Sequence, residues 1–257
     1  MIESKEENEN FGMVDILGVC VHRVDRAGLL STIEQAIEQG SGGIINDLNV
    51  HAANLAQVDP EFRNILNKSD LVFVDGAGIM LGAKLLGKRL GERLTYADWM
   101  DDLFARCAEQ GWSIFFVGDT EETGAKFSES LAERHPGCKF AGRHHGFFDR
   151  EGDENERVLE AINASGADIV LAGMSMPIQE KWVWANKDKL TAKVFLTCGG
   201  FPRVYIGDIP RGPKWMTDNG LEWFYRLCMQ PSVWRRYLLG NPLFLFRILR
   251  QRVSRAG

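Results

Sequence analysis

Residues that could do chemistry recur at one kind of place in this chain, just past short apolar runs. Asp75 follows Leu71-Val72-Phe73-Val74, a run of strand length, and Gly76 and Gly78 come directly after it, where the backbone turns sharply. Asp47 and Asn49 close the run that begins at Gly42. Gly118, Asp119 and Thr120 close Ser113–Val117, and the Met174–Glu180 loop with Gln179 follows Asp168–Gly173. In an open α/β sheet, ligands sit in the crevice beyond the carboxyl ends of the strands, so one polar group from each tip is what a substrate site requires. Asp75 has a second reading, as the cap of the helix that follows. The Gly118-Asp119-Thr120 turn could aim backbone N–H groups at a phosphate, or be a plain tight turn.

Other chemistries find little support. His144 and His145 are adjacent, so on a strand they would point to opposite faces and could not share a metal ion. No D-x-D pair stands at a strand end, and no metal or other cofactor is expected. The nucleophile elbow G-x-S-x-G, the dinucleotide fingerprint G-x-G-x-x-G and the phosphate-binding P-loop are all missing. The five cysteines are scattered without a C-x-x-C pair, which suits reduced thiols in a cytosolic compartment. A formal net charge of -5 argues against a general nucleic-acid binder.

The elements that must position these residues alternate between strands and helices. Val14–Val21 reads as a first strand, and Gly42–Asn49, Leu71–Val74, Ser113–Gly118, Lys139–Gly146, Asp168–Gly173 and Lys193–Cys198 follow, with helical periodicity between them. This rhythm predicts a Rossmann-like α/β fold, a largely parallel sheet covered by helices on both faces. Residues 1–11 are acidic and polar, unlike a signal peptide, and read as a disordered lead-in. Residues 12–212 make the α/β domain.

Composition shifts after residue 212. From Arg226 onward there are seven arginines and neither Asp nor Glu, interleaved with Trp, Tyr, Phe and Leu. A solvated basic helix would fit. An interfacial segment fits better, because aromatics with unneutralised arginines suit anionic headgroups or a diphosphate. Residues 213–257 are therefore expected to be a helical appendage that associates with a membrane surface. No run of about 18 apolar residues occurs that could span one.

The order of several short motifs resembles the WecG/TagA/CpsF family of bacterial glycosyltransferases (glycosyltransferase family 26). They are Leu48-Asn49, Val74-Asp75-Gly76, Gly91-Glu92-Arg93, Phe116-Val117-Gly118, Gly146-Phe147-Phe148, Pro177-Ile178-Gln179-Glu180, Arg211-Gly212-Pro213-Lys214-Trp215 and Gly220–Leu227. The likeness runs from about Gly12 to Arg236. It implies inverting, metal-independent transfer of a sugar from a UDP-sugar to a saccharide on a polyprenyl diphosphate, in surface polysaccharide synthesis. The place of action it implies is cytoplasmic, peripheral to the inner face of the cell membrane. Asp75 carries over as the general base. Asn49, Arg93, Gln179, Arg226 and Arg236 carry over as sugar and diphosphate contacts, and Asp47, Gly118 and Arg211 join them as substrate-binding candidates.

The chain departs from the family pattern at Asp47, where a threonine is usual, and at Tyr96, Pro202 and Val233. Those departures motivate the alternative, a catalytically silent sugar-nucleotide-binding or scaffold protein of the same pathway. Which sugar moves, which saccharide accepts it, and whether the chain forms a homo-oligomer are left open by the sequence.

Overall fold

A computed structural model describes residues 12–230 and 233–256. The expected lead-in at 1–11 lies outside them, as do Pro231 and Ser232 of the tail. In chain order the elements begin β1 (Met13–Ile16), β2 (Val19–His22), α1 (Arg26–Gln39), β3 (Gly43–Leu48), α2 (Val50–Leu55), α3 (Pro60–Lys68), β4 (Leu71–Val74) and α4 (Ala77–Leu85). There follow α5 (Tyr96–Gln110), β5 (Ser113–Gly118), α6 (Glu121–Arg134), β6 (Lys139–His144), α7 (Gly152–Ser165), β7 (Ile169–Gly173) and α8 (Ile178–Asn186). Last come β8 (Val194–Thr197), α9 (Phe201–Tyr205), α10 (Lys214–Asp218), α11 (Glu222–Met229), a π-helical turn (Arg235–Leu239) and α12 (Gly240–Ala256).

The main sheet has six strands in the order β4-β3-β8-β7-β5-β6, and its registered pairs β3–β8, β8–β7, β7–β5 and β5–β6 are parallel. With helices between the strands, the fold is α/β and Rossmann-like, as the alternation predicts. One element differs. The single strand expected over Val14–Val21 is an antiparallel hairpin of β1 and β2, forming a two-stranded sheet of its own. Leu17 and Gly18 both take positive φ (54° and 80°), the conformation of a type I′ hairpin turn, which the largely apolar run around it conceals.

The chain packs as two compact units. Among the described residues, one comprises 12–29, Asp47–Leu94 and 212–256, the other Leu30–Asn46 and Thr95–Arg211. The core of the second unit lies on both faces of its strands. Phe115, Val117, Val170, Ala172 and Phe195 pack against Leu159, Trp182 and Val183 from α7 and α8. An aromatic cluster of Phe104, Phe116, Phe127, Phe201 and Tyr205 joins α5, α6 and α9.

The tail is part of the first unit. Phe244 and Ile248 of α12 are fully buried, and Phe244 lies so close over Gly82 of α4 that a Cβ there would sit 2.7 Å from its ring. Polar ties add to this packing. Arg247 Nη1 donates to both the carbonyl (3.1 Å) and side-chain oxygen (2.8 Å) of Asn54, whose Nδ2 donates to the Gly240 carbonyl (2.8 Å). Gln251 accepts from Leu17 N–H and donates to Asp15, which fixes α12 to the hairpin. A cut before Pro213 therefore strips core from this unit as well as a surface segment.

Burial separates two aromatic residues two positions apart. Phe244→Ala is expected to destabilise the protein by about 3–5 kcal/mol through the cavity it leaves. Phe246→Ala, at a side chain 64% exposed, should stay within about 0.5 kcal/mol of wild type. Urea unfolding of the two variants tests this, and equal effects would mean that α12 is only loosely attached.

Candidate active site

Asp75 stands at the carboxyl end of β4 in the first unit, and three backbone arrangements build its surroundings. Its own N–H donates to Leu48 O at the tip of β3 (3.0 Å), so the ends of β3 and β4 lie side by side. Leu94 N–H donates to Val74 O (2.9 Å), which leads the Arg93 segment past the same tip. Gly220, at φ +72°, passes so near α4 that a Cβ would meet Ala77 at 2.7 Å, and this close approach delivers the start of α11. The N-cap of α4 is Gly76, at φ 90° and ψ 152°, a conformation suited to glycine. Asp75 is therefore not the cap of that helix, and its carboxylate remains available.

Four charged side chains act on Asp75. Burial raises its pKa most, the Arg226 charge lowers it, Glu222 raises it, and Arg236 and Arg93 lower it; the net effect is a carboxyl pushed up to about 6. Glu222, the first residue of α11, sits between two of the arginines. Its carboxylate is 3.9 Å from Arg93 Nη1 and 3.3 Å from Arg226 Nη2. Burial opposes the charge of Arg226, but Glu222, Tyr237 and Asp75 together hold its pKa above the ordinary arginine value. Arg236 is exposed, and its guanidinium carbon lies 6.0 Å from the Tyr237 ring centre. It also faces His51 in the first turn of α2, whose pKa is lowered by burial and then by that arginine's charge.

Asn49 is the N-cap of α2. Its Oδ1 accepts from Ala52 N–H (3.0 Å) while its Nδ2 donates to Asp47 Oδ2 (3.0 Å). The buried Asp47 thus orients Asn49 from below. A Cβ on Gly78 would sit 2.4 Å from Val50 Cγ2, so the segment carrying Asn49 and His51 lies against the start of α4. The first unit therefore gathers Asp47, Asn49, Asp75, Arg93, Arg226 and Arg236 of the residues predicted from sequence.

Gln179, Gly118 and Arg211 belong to the second unit. Gln179 is fully buried behind the tips of β7 and β8. Its Oε1 accepts from Met174 N–H (3.2 Å) and Gly199 N–H (3.1 Å), and its Nε2 donates to Glu180 Oε1 (2.8 Å) and Thr197 O (3.2 Å). Both ends of its amide are engaged, so in this conformation it clamps two strand tips together. Glu180 beside it is buried and pushed up to about 7 by desolvation. Gly118 is required for packing, since a Cβ would meet Gly173 O at 2.4 Å. The acid after it, Asp119, is held by Arg203 through two bonds (2.5 and 2.7 Å) and itself accepts from Thr120 N–H (2.8 Å). Arg211 is pinned to the start of α5, donating to Asp98 Oδ1 (2.6 Å) and Ala97 O (3.0 Å). His145 lies just beyond β6, and its ring centre is 4.5 Å from that of His144, so the two do not diverge as on a continuous strand. Among the described residues no three His, Cys, Asp or Glu side chains form a metal-binding group.

The sequence profile of the Glycosyl transferase WecG/TagA/CpsF family matches residues 14–257. The chain belongs to this family. It is a glycosyltransferase. It is 27% identical over 247 residues to an N-acetylglucosaminyldiphosphoundecaprenol N-acetyl-beta-D-mannosaminyltransferase of Staphylococcus aureus strain MRSA252, covering 95% of this chain and 94% of that protein. The protein of the same name in strain MW2 is similar to the same extent.

Two of the glycosyltransferase's departures from the family pattern fall in the interior of the second unit. Tyr96 opens α5 and packs on Trp99 and Phe201 at ring distances of 5.3 and 6.1 Å, while Pro202 lies in the first turn of α9, a position that proline suits. Sequence reasoning missed two members of the charged cluster, His51 and Glu222. The signal for Glu222 was its isolation. Asp218 and Glu222 are the only acids after residue 211, and Glu222 stands four residues before Arg226 on a helix.

The raised pKa of Asp75 has a sign that stability measurements can read. A carboxyl whose folded pKa exceeds its unfolded value favours folding below the unfolded pKa, and that contribution is lost as pH rises through the folded pKa of about 6. Asp75→Asn should therefore be more stable than wild type at pH 8 by about 1–3 kcal/mol, with the gap closing near pH 4. Urea unfolding at the two pH values measures it, and a variant less stable at pH 8 would contradict the assigned environment.

Proposed function

We propose that the glycosyltransferase moves a sugar from a UDP-sugar, with inversion and without a metal ion, to a saccharide carried on a polyprenyl diphosphate. The observation that carries this reading is Asp75, a carboxylate with a pKa near 6 at a strand tip, within electrostatic reach of Arg93, Arg226 and Arg236. The names of the relatives supply the first pair to test, an N-acetylmannosaminyl donor with N-acetylglucosaminyl diphosphoundecaprenol as acceptor.

In this mechanism Asp75 takes the proton of an acceptor hydroxyl as its oxygen attacks the anomeric carbon. The bond from that carbon to the diphosphate oxygen breaks, and UDP leaves with the bonding electrons. A base with a pKa near the working pH combines enough ionised form with enough basicity. The charge that grows on the departing diphosphate falls to the arginines, whose planar forks suit phosphate oxygens. Asn49, fixed by Asp47 and by its cap bond, and the neutral His51 are placed to hold sugar hydroxyls.

The acceptor is lipid-linked in this reading, and the tail offers a means to approach it. Trp223, Phe224, Trp234, Leu243, Phe246 and Val253 are exposed, among arginines without acidic neighbours in sequence after residue 222. No described helix is long and apolar enough to cross a membrane. In this reading the protein attaches peripherally at the cytoplasmic face by burying these side chains at the interface, with each arginine near an anionic surface adding about 1 kcal/mol.

UDP release with the lipid-linked acceptor tests the proposal. Turnover should persist in excess EDTA and rise with pH through about 6 to a plateau, since Asp75 must be ionised to act. Asp75→Asn should lower turnover by about 100-fold or more while UDP binding is retained. Wild-type turnover in that variant removes the base assignment, and activity restored to an EDTA-treated enzyme by Mg²⁺ or Mn²⁺ removes the metal-independent mechanism.

A further inference from the structure

Several of the described arginines pair closely with an acid. Arg203 with Asp119 (2.5 and 2.7 Å), Arg211 with Asp98 (2.6 Å) and Arg106 with Glu34 (2.5 Å) make close pairs, at the separations of full charge-assisted hydrogen bonds. Arg93 and Arg226 lie beside Glu222 at 3.9 and 3.3 Å, beyond that range, although its carboxylate is only 16% exposed. One acid thus stands between two arginines, near both and tightly bonded to neither. Its backbone is fixed there, because the chain enters α11 against Ala77 of α4 through Gly220.

We propose that Glu222 is a resident counter-ion that offsets the charge of Arg93 and Arg226 until the diphosphate of the sugar nucleotide displaces it from both. The inference rests on the donor reading above and adds a charge-compensating residue to it. Three arginines around Asp75 repel one another, and Glu222 relieves part of that repulsion. Glu222 supplies one negative charge at loose geometry, and a diphosphate brings two or more, with oxygens that the guanidinium forks can meet bidentately. Exchange of partners is then downhill, and the arginines need no rebuilding. The exchange also acts on Asp75. Once the arginines turn to the diphosphate, less positive charge offsets the burial of Asp75, while the carboxylate of Glu222 stays beside it, so the base strengthens when the donor is bound. The charged and titratable groups facing this pair are Arg93 from the segment before α5, Arg226 from α11 and Arg236 from the π-helical turn. Tyr237 adjoins Arg226, and His51 adjoins Arg236.

A bland role competes, in which Glu222 is only a first-turn acid paired with Arg226 four residues on, an arrangement worth a few tenths of a kcal/mol. Calorimetric titration of the full chain with inorganic pyrophosphate and with UDP separates the two. Glu222→Gln should bind pyrophosphate about tenfold more tightly, because the competing anion is gone. Glu222→Asp keeps the charge and should stay within about threefold of wild type. The acid limb of the pH–rate profile of Glu222→Gln should move to lower pH, since a like charge beside Asp75 has been removed. Unchanged or weaker pyrophosphate binding, or an unmoved acid limb, overturns the proposal in favour of the helix role. If wild type binds neither pyrophosphate nor UDP, the donor reading falls first and this one with it. A wild-type measurement covers a variant that fails to fold. Pyrophosphate should shift the carboxyl carbon resonance of Glu222 together with the Nε resonances of Arg93 and Arg226, and arginine shifts with Glu222 unmoved would also overturn it.

Discussion

The first unit is organised around one partly buried carboxyl group at the end of β4. A buried carboxylate is expensive to ionise, and arginines beside it make it cheap. At Asp75 burial outweighs the arginines, and the carboxyl is pushed up to about 6. The site that does this is built by one sharp turn and two close approaches. Gly76 turns the chain at once into α4, Gly78 admits Val50, and Gly220 admits Ala77. A side chain at either contact would push back the segment bearing Asn49 and His51, or the one bearing Glu222 and Arg226. The glycines of the D-G-x-G stretch are thus part of the electrostatics, since they set how far each charge stands from the acid.

The second unit shows the opposite use of the same residue types. Asp119 and Arg203, Asp98 and Arg211, and Gln179 with the tips of β7 and β8 are paired closely. Such pairs fix loops at strand ends, where irregular backbone would otherwise leave N–H and C=O groups unmatched. Gln179 illustrates the distinction well. The family resemblance implies a ligand contact there, whereas its amide joins two strand tips from behind. In this conformation it holds the Met174 and Gly199 loops at a set separation.

The sheet and the main helices were legible because strands buried on both faces read as unbroken apolar runs, and Asp75 was legible because such a run ends on it. The hairpin was not. Apart from Asp15, Val14 to Val21 is as apolar as a buried strand, and only Gly18 marks the reversal, with Leu17 sharing a positive φ that nothing in its type predicts. The tail was read as an appendage because its composition changes abruptly at residue 213. Composition reports the exposed face of α12, while Phe244 and Ile248, which tie it into the core, look no different in sequence from Phe246 and Leu249. Nor does spacing reveal that Arg93 meets Glu222. Arg93 and Glu222 are far apart in sequence and meet only because Gly220 and the Leu94–Val74 bond bring both to one strand tip.

The tail also explains why one segment serves two ends. Around α12, Phe244 and Ile248 point into the unit, whereas Leu243, Phe246, Leu249 and Val253, spaced by three or four residues, line another face and remain exposed. A helix apolar on two faces is stable against water only when both are covered, and the protein covers one of them. In the proposed function the membrane that carries the acceptor covers the other. Arg226 and Arg236 lie on the stretch of chain that leads into this helix, so whatever fixes α12 also limits where their guanidinium groups can reach. In that reading attachment brings the charged cluster around Asp75, which forms in the protein itself, to the surface where a lipid diphosphate is found.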